Sequence, residues 1–366
     1  MLDLALAATF IRSIEWQNVK RLILVGDHNQ LPPIGRGRVF SDIIEWLRGA
    51  ETHNLAVLET NMRQMENRLD GKGQSILDLA ELFLVDSAVQ SEQTTPEAEQ
   101  LLKKVHQGGK IDEDLYVAYW NSAADLVASL VSDLVSVLPR EEADPPVYKL
   151  WRNEIIQNSP ERLQVLTPHR GELHGVEALN IELQSVLTND LIDRVGAVDG
   201  ITLNDKVIQT QNRTTRRGLW AFDFDIGKAR QVELFNGEIG YVEPHNFDRA
   251  ELKRVFAGYS KKRLKRFQVK FARKEKICVN YGRDIPTATK GRFTSESVEN
   301  NLELAYAISI HKSQGSEFGQ TFVVLPASRR PLSAELLYTA LTRAQGHCRL
   351  YVQGNWFEPE VSTSYE

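Results

Sequence analysis

Residues 22–35 read Leu-Ile-Leu-Val-Gly-Asp-His-Asn-Gln-Leu-Pro-Pro-Ile-Gly, an apolar run that gives way at once to a polar tip and a rigid turn. Leu22-Ile23-Leu24-Val25 has the unbroken hydrophobic character of a strand buried on both faces of a parallel sheet. Gly26-Asp27 ends the run, and Pro32-Pro33 fixes the turn that follows. In an open α/β sheet, ligands bind beyond the carboxyl ends of the strands, which is where Asp27 and Gln30 fall. Gln30 is a neutral amide that can donate to a phosphate oxygen or accept from water. An ordinary strand and turn with solvated polar residues would read the same way.

Further segments stand in a definite order behind this one. Leu58-Glu59-Thr60-Asn61-Met62-Arg63-Gln64 carries an arginine after a polar turn. Val165-Leu166-Thr167-Pro168-His169-Arg170-Gly171 is a strand-and-loop pattern, with Leu179-Asn180 and Leu183-Gln184 after it. Tyr306-Ala307-Ile308-Ser309-Ile310-His311-Lys312-Ser313-Gln314-Gly315-Ser316-Glu317-Phe318 and Leu337-Tyr338-Thr339-Ala340-Leu341-Thr342-Arg343-Ala344 complete the set. Together with Gly26–Pro33, these segments resemble, in order, the motifs of RecD-like helicases of superfamily 1. The first resembles motif III, the last two motifs V and VI. Met62 stands where the family more often has tyrosine.

The resemblance implies an α/β fold. A RecA-like parallel-sheet motor domain would occupy residues 51–205 and 298–366, and a small β-barrel of the SH3 type would be inserted at 206–297. A carboxyl-terminal remnant of a first RecA-like domain would occupy 1–50. It also implies roles. Gln30, Arg63 and Arg343 would act on the γ-phosphate, and Asp27, Gly315 and Glu317 would lie about the nucleotide. Thr167, His311, Lys312 and Ser313 would contact the DNA backbone. Phosphoryl transfer asks mainly for positioned positive charge, which the planar, permanently charged guanidinium of an arginine supplies.

No GxxxxGK[ST] occurs in the chain; Gly71-Lys72-Gly73 lacks both the spacing and the following hydroxyl. No acidic pair precedes the motif III run, and Cys278 and Cys348 are too far apart in sequence to make a metal-spaced set, so no metal ligand is assigned. The expectation is a carboxyl-terminal motor portion that must borrow the missing amino-terminal RecA-like half, in cis or in trans. ATP and Mg2+ would serve the complete motor, with neither held firmly by this chain, which alone would not hydrolyse ATP at a useful rate. The partner would be single-stranded or duplex DNA. Two other readings stay open: an RNA helicase of the Upf-like branch, and a non-catalytic DNA-binding relic.

Composition sets the outer bounds. The chain has 366 residues, 42% hydrophobic and 25% charged, as in a globular protein. No apolar run approaches a membrane span, and the two isolated cysteines fit a reducing cytoplasm. Net charge is −5, but residues 206–297 hold 21 Lys+Arg against 10 Asp+Glu. A basic module on an acidic body suits contact with a phosphate backbone. Its densest run, Lys261-Lys262-Arg263-Leu264-Lys265-Arg266, would equally make a solvated face.

Local patterns predict helices near 2–12, 40–48, 76–85 and 123–138, with Thr95 capping another before Pro96. Strands are expected at 21–25, 55–58, 206–210, 267–271, 305–310, 322–325 and 349–352. Asn236-Gly237 predicts a hairpin with arms 232–234 and 238–242. The acidic stretch 86–145, with 12 acidic and 4 basic side chains, reads as an insert without functional signal. Trp220, Phe222 and Phe224 are expected to pack a small core more than to stack on bases.

Overall fold

The computed structural model describes residues 2–50, 53–58, 73–84, 95–141, 143, 145–214, 219–243, 249–259, 261–274, 276–282, 301–327 and 332–354. Thirteen strands run through them: β1 (Gly109–Lys110), β2 (Leu115–Trp120), β3 (Leu163–Thr167), β4 (Lys206–Gln209), β5 (Leu219–Asp223), β6 (Lys228–Val232), β7 (Ile239–Glu243), β8 (Arg266–Phe271), β9 (Ile277–Gly282), β10 (Leu302–Leu304), β11 (Ala307–Ser309), β12 (Phe318–Leu325) and β13 (Ala344–Gln353).

Six of these strands form one sheet in the order β1-β2-β13-β12-β3-β11, parallel throughout except for the β1–β2 edge. Both faces are apolar. Val323, Leu325, Leu350 and Val352 point to one side, where they meet the helices Ser75–Glu81, Pro96–Gln107 and Ala334–Leu341. Phe322, Val324 and Tyr351 point to the other, against Ala123–Ser136, Val147–Gln157 and Val176–Leu187. Leu126, Leu130 and Leu134 recur every fourth residue along one helix stripe, and each is buried. Full burial of such a side chain stabilises by roughly 1.5–3 kcal/mol. The period-two switch within strands and the period near four within helices thus dictate a sheet covered on both sides.

The other seven strands form an antiparallel sheet, β10-β4-β7-β8-β9-β5-β6, with a core of its own around Phe267, Val269, Phe271, Val279 and Tyr281. β8 shows the reason: its residues alternate between partly exposed and buried along their whole length. No ladder joins β6 to β10 among the described residues. The first and last members in sequence, β4 and β10, are themselves paired, Leu302 opposite Gln209 and Leu304 opposite Val207. The antiparallel sheet therefore reaches Leu304, past the expected boundary at 297.

A buried polar network sits where the two sheets meet. The Asp205 carboxylate accepts hydrogen bonds from Gln184, Thr188, the Tyr306 hydroxyl and the Thr202 amide. Burial pushes its pKa up to about 6, against these donors. Lys206 Nζ donates to the Gln164 side chain at 2.8 Å and to the Leu163 carbonyl. Burial pushes this lysine down to about 7, with Glu154 and Glu161 pulling the other way.

Several expectations fail. Residues 21–25 form no strand, and Ile23 and Val25 are 70% and 88% exposed. A parallel strand needs ladder partners, and none of the described strands pairs with this run. Residues 55–58 likewise form no strand, with Leu58 93% exposed. Asn236-Gly237 does turn the chain, with Gly237 at φ 98°, but it joins strands that separate: β6 pairs with β5, whereas β7 pairs with β4 and β8. The hairpin is instead β5–β6. Phe224 lies exposed beside Phe222 and outside the core. The acidic stretch is no insert, because it supplies β2, an interior strand of the parallel sheet. The helices at 4–13, 39–49 and 123–136 and the Thr95 cap form as expected.

Candidate functional site

The turn after Asp27 is held by its own side chains. Asp27 accepts from the Asn29 amide at 3.0 Å and from the Gln30 side-chain amide at 3.1 Å, the local bonding that makes aspartate a turn former. Tyr338 also hydrogen-bonds to Asp27; burial, reinforced by that carboxylate, drives the tyrosine's pKa well above its usual value.

The next residue fastens the turn to two other segments. Leu31, buried, donates its N–H to Thr339 Oγ1 at 2.9 Å, and its carbonyl accepts from Gln314 Nε2 at 2.9 Å. Thr339 lies on the helix Ala334–Leu341, which begins where Ser333 caps the Leu336 amide. Gln314 lies in the loop between β11 and β12. Three motif-bearing segments, far apart in sequence, thus meet at one backbone position.

Arg343 follows the same helix, just past its Thr342 cap, and is only 6% exposed. Its Nε donates to the Thr339 carbonyl at 3.2 Å and its Nη1 to the Ser316 carbonyl at 2.9 Å. The guanidinium therefore ties helix to loop, one residue away from Gly315 and Glu317. Gly315 sits at φ 80°, a conformation that a Cβ resists, and its carbonyl accepts from Arg273 just beyond β8. Glu317 accepts from the Gln345 side chain at 3.0 Å. Arg63 lies outside the described residues, so its expected place beside Gln30 and Arg343 is not drawn here.

A second feature opens at the carboxyl ends of β3 and β11. A cleft of about 220 Å³ is lined by Pro168, Arg170, Glu303, Ser309, His311 and Lys312, among others. It lies where parallel-sheet ligands are expected, with β10 of the antiparallel sheet contributing Glu303. One carboxylate engages both cations: Arg170 Nη2 lies 2.9 Å from Glu303 Oε1, and Lys312 Nζ lies 2.8 Å from Glu303 Oε2. Burial works to raise the pKa of Glu303, but Lys312 and Arg170 outweigh it and hold the group below its usual range. Burial lowers the pKa of His311, favouring neutral imidazole.

Thr167 and Ser313 are fully buried. The Thr167 hydroxyl donates to the His174 carbonyl at 3.0 Å and that of Ser313 to the Ile310 carbonyl at 2.7 Å. Neither offers its hydroxyl to a bound strand in this structure; both shape the loops that carry Arg170, His311 and Lys312. Asn180 and Gln184 also turn inward: Asn180 brackets the backbone of Ala307 with two bonds of 2.9 Å, and Gln184 bonds Asp205. Sequence reasoning passed over Thr339, Gln314 and Glu303. The first two sit inside quoted motifs as spacers, and Glu303 is an acidic residue in a region read for basic charge.

No helix among the described residues is long and apolar enough to cross a membrane. Residues 304–351, which hold the β11–β12 loop and the helix bearing Thr339, match the UvrD-like helicase C-terminal domain. Over 188 residues the chain is 30% identical to the ATP-dependent RecD2 DNA helicase of Deinococcus radiodurans, covering 51% of this chain and 19% of that protein. Over 357 residues it is 26% identical to the RecBCD enzyme subunit RecD of Mycolicibacterium smegmatis, covering 96% of this chain and 48% of the relative. The chain thus spans about half the length of the RecD subunit and less of the RecD2 protein. A crystal structure of Pif1 helicase from Candida albicans aligns with 89% of this chain and 62% of that one, at 15% identity and a TM-score of 0.36. The chain is thus similar to RecD-like helicases of superfamily 1, and its residues 304–351 to their C-terminal motor domain.

Proposed function

We propose that the chain is the carboxyl-terminal motor portion of an ATP-dependent DNA helicase, coupling ATP binding and hydrolysis to single-strand translocation and duplex unwinding. One observation carries this reading: Leu31 is bonded at once to the β11–β12 loop and to the helix that precedes Arg343. That arrangement gathers Asp27, Gln30, Gly315, Glu317 and Arg343 around one junction. Amide and guanidinium donors suit a terminal phosphate, whereas the carboxylate pair needed to hold Mg2+ has no counterpart in the sequence. The nucleotide, when bound, supplies the hydrolysable phosphate. This chain's residues supply one wall: Gln30 positions, and Arg343 stabilises developing charge once it leaves the Thr339 and Ser316 carbonyls.

The other wall belongs to a partner RecA-like half. The exposed run Leu22–Val25 supports this, since apolar residues with strand character gain by pairing with a neighbouring sheet. We assign residues 51–205 and 305–366 to the second RecA-like unit and the antiparallel sheet, through Leu304, to the counterpart of the inserted SH3-type barrel. DNA lies across the cleft at the ends of β3 and β11, its phosphates met by Arg170 and Lys312 in place of Glu303. His311 and Lys312 face that cleft while Gln314 and Gly315 face the nucleotide junction, so a single loop links the two. Such phosphate contacts fix position without reading sequence.

The test is equilibrium binding of matched, labelled single-stranded DNA and RNA to the purified chain, alongside ATP turnover. DNA binding that weakens with salt, preference over RNA and no turnover by the chain alone are expected. Failure to bind single-stranded nucleic acid at low salt overturns the reading, and RNA preference moves it to the Upf-like branch.

A further inference from the structure

We propose that His169, Glu172 and His174 form a binding site for one transition-metal dication of the zinc class. The three side chains bring one ligand atom each to within 4.8 Å of one another. They stand on the loop between β3 and the helix Val176–Leu187. The loop is closed without help from an ion: Gly175 N–H donates to the Glu172 carbonyl at 2.7 Å, and Val176 N–H to the His169 carbonyl at 3.1 Å. The Thr167 hydroxyl holds the His174 carbonyl from below. A Cβ at Gly175 would come within 2.7 Å of the Arg170 carbonyl oxygen, so the tight fold of the loop requires glycine there. The ligand positions are therefore preorganised.

The surroundings of His174 are the stronger sign. His174 has a side chain only 15% exposed, walled by Trp120 at 5.8 Å and by the His169 ring at 5.6 Å. Its Nε2 is buried and makes no hydrogen bond, although Glu172 Oε2 is 2.8 Å away. A buried imidazole nitrogen held 2.8 Å from a carboxylate oxygen with no hydrogen bond formed calls for explanation. A metal ion between the two donors supplies it: tetrahedral ligands at about 2.0–2.2 Å from zinc stand roughly 3.3–3.5 Å apart, so the pair need open by only about half an ångström.

Ligand chemistry narrows the ion. Two imidazoles and a carboxylate suit Zn2+ and its first-row neighbours, whereas Mg2+ and Ca2+ take oxygen shells. Three protein ligands leave a fourth position for water or an anion. The same loop carries Arg170, which lines the cleft, so a bound ion pins that arginine and adds positive charge beside it. The spacing His-x-x-Glu-x-His is not a familiar metal signature, which is why the sequence assigned no ligand here. The site stands independently of the helicase reading.

The experiment is titration of the chelator-stripped full chain with Zn2+ alone, in competition with a chromophoric chelator, and with thermal melting as a second readout. One Zn2+ per chain and a raised Tm are expected. His174→Ala should weaken binding by about 100-fold or more, since even outer-shell partners are worth roughly 10–100-fold. Glu172 is 59% exposed, so Glu172→Ala is expected to fold and should also lose affinity if His174→Ala does not fold. No saturable Zn2+ binding by the native chain overturns the proposal. So does undiminished binding by folded Glu172→Ala, which would place the ion elsewhere.

Discussion

The backbone N–H of Leu31 donates to the hydroxyl of Thr339 across 308 positions of sequence, at 2.9 Å and out of contact with solvent. With Gln314 on the Leu31 carbonyl, this bond places the Asp27 turn against the rest of the candidate nucleotide wall. Thr339→Val keeps the shape and removes the acceptor, leaving a buried N–H unsatisfied at a cost of about 1–3 kcal/mol. The expected outcome is a lowered denaturant midpoint and faster protease cleavage near residues 27–36. Unchanged protection of the turn would show that the bond holds nothing in place.

Glu303 sits between Arg170 and Lys312, where the proposed DNA path puts a backbone phosphate. Glu303→Gln removes the competing charge and keeps the size. Single-stranded DNA should then bind several-fold more tightly, with a steeper salt dependence by roughly one counterion. Titrations at three salt concentrations check both. Weaker binding by the variant would mean that Glu303 positions the cations instead of masking them.

Arg343 is a buried staple in this structure, bonded to carbonyls of Thr339 and Ser316. Arg343→Ala should therefore lower stability by about 1–3 kcal/mol through the stranded carbonyls. In a motor completed by its P-loop half, it should also reduce ATP turnover by roughly 10³-fold or more, the scale of an arginine finger, with DNA binding largely kept. Stability loss with turnover intact would confine Arg343 to the structural part.

Lys206 gives a pH signature. Its folded pKa is depressed to about 7 from 10.5 by burial. Between those values the unfolded chain binds a proton that the folded chain does not. The stability contributed is therefore fully present above the upper value and is lost as pH falls towards the lower one. Its slope is about 1.4 kcal/mol per pH unit. Urea midpoints of the native chain and Lys206→Met at pH 7, 8 and 9 should diverge by that slope. Parallel curves would place a charged lysine in the interior.

Much of this was legible in the sequence. The motif order announced an α/β fold, and the helices at 39–49 and 123–136 follow directly from apolar spacing. The failures share a cause: local pattern does not say which partner an element finds. Leu22–Val25 has strand composition without a ladder, and Asn236-Gly237 has turn chemistry without a hairpin. β2 was hidden because Leu115–Trp120 carries two half-exposed tyrosines within an acidic stretch. At the site, three of the quoted motif segments do meet, at Leu31. The inward turn of Thr167, Ser313, Asn180 and Gln184 depends on backbone carbonyls contributed by distant segments, which no motif spacing encodes.

The pairing of β4 with β10 has a wider consequence. Entry to and exit from the antiparallel sheet lie side by side, so the polypeptide leaves the parallel sheet and returns to it through a single doorway. Whatever is built beyond that doorway can be lengthened, exchanged or trimmed while β3 and β11 keep their register, because the ends to be rejoined never move apart. This fold can thus vary its antiparallel sheet without disturbing the parallel one, and a short turn from β4 to β10 marks where such a graft should be cut.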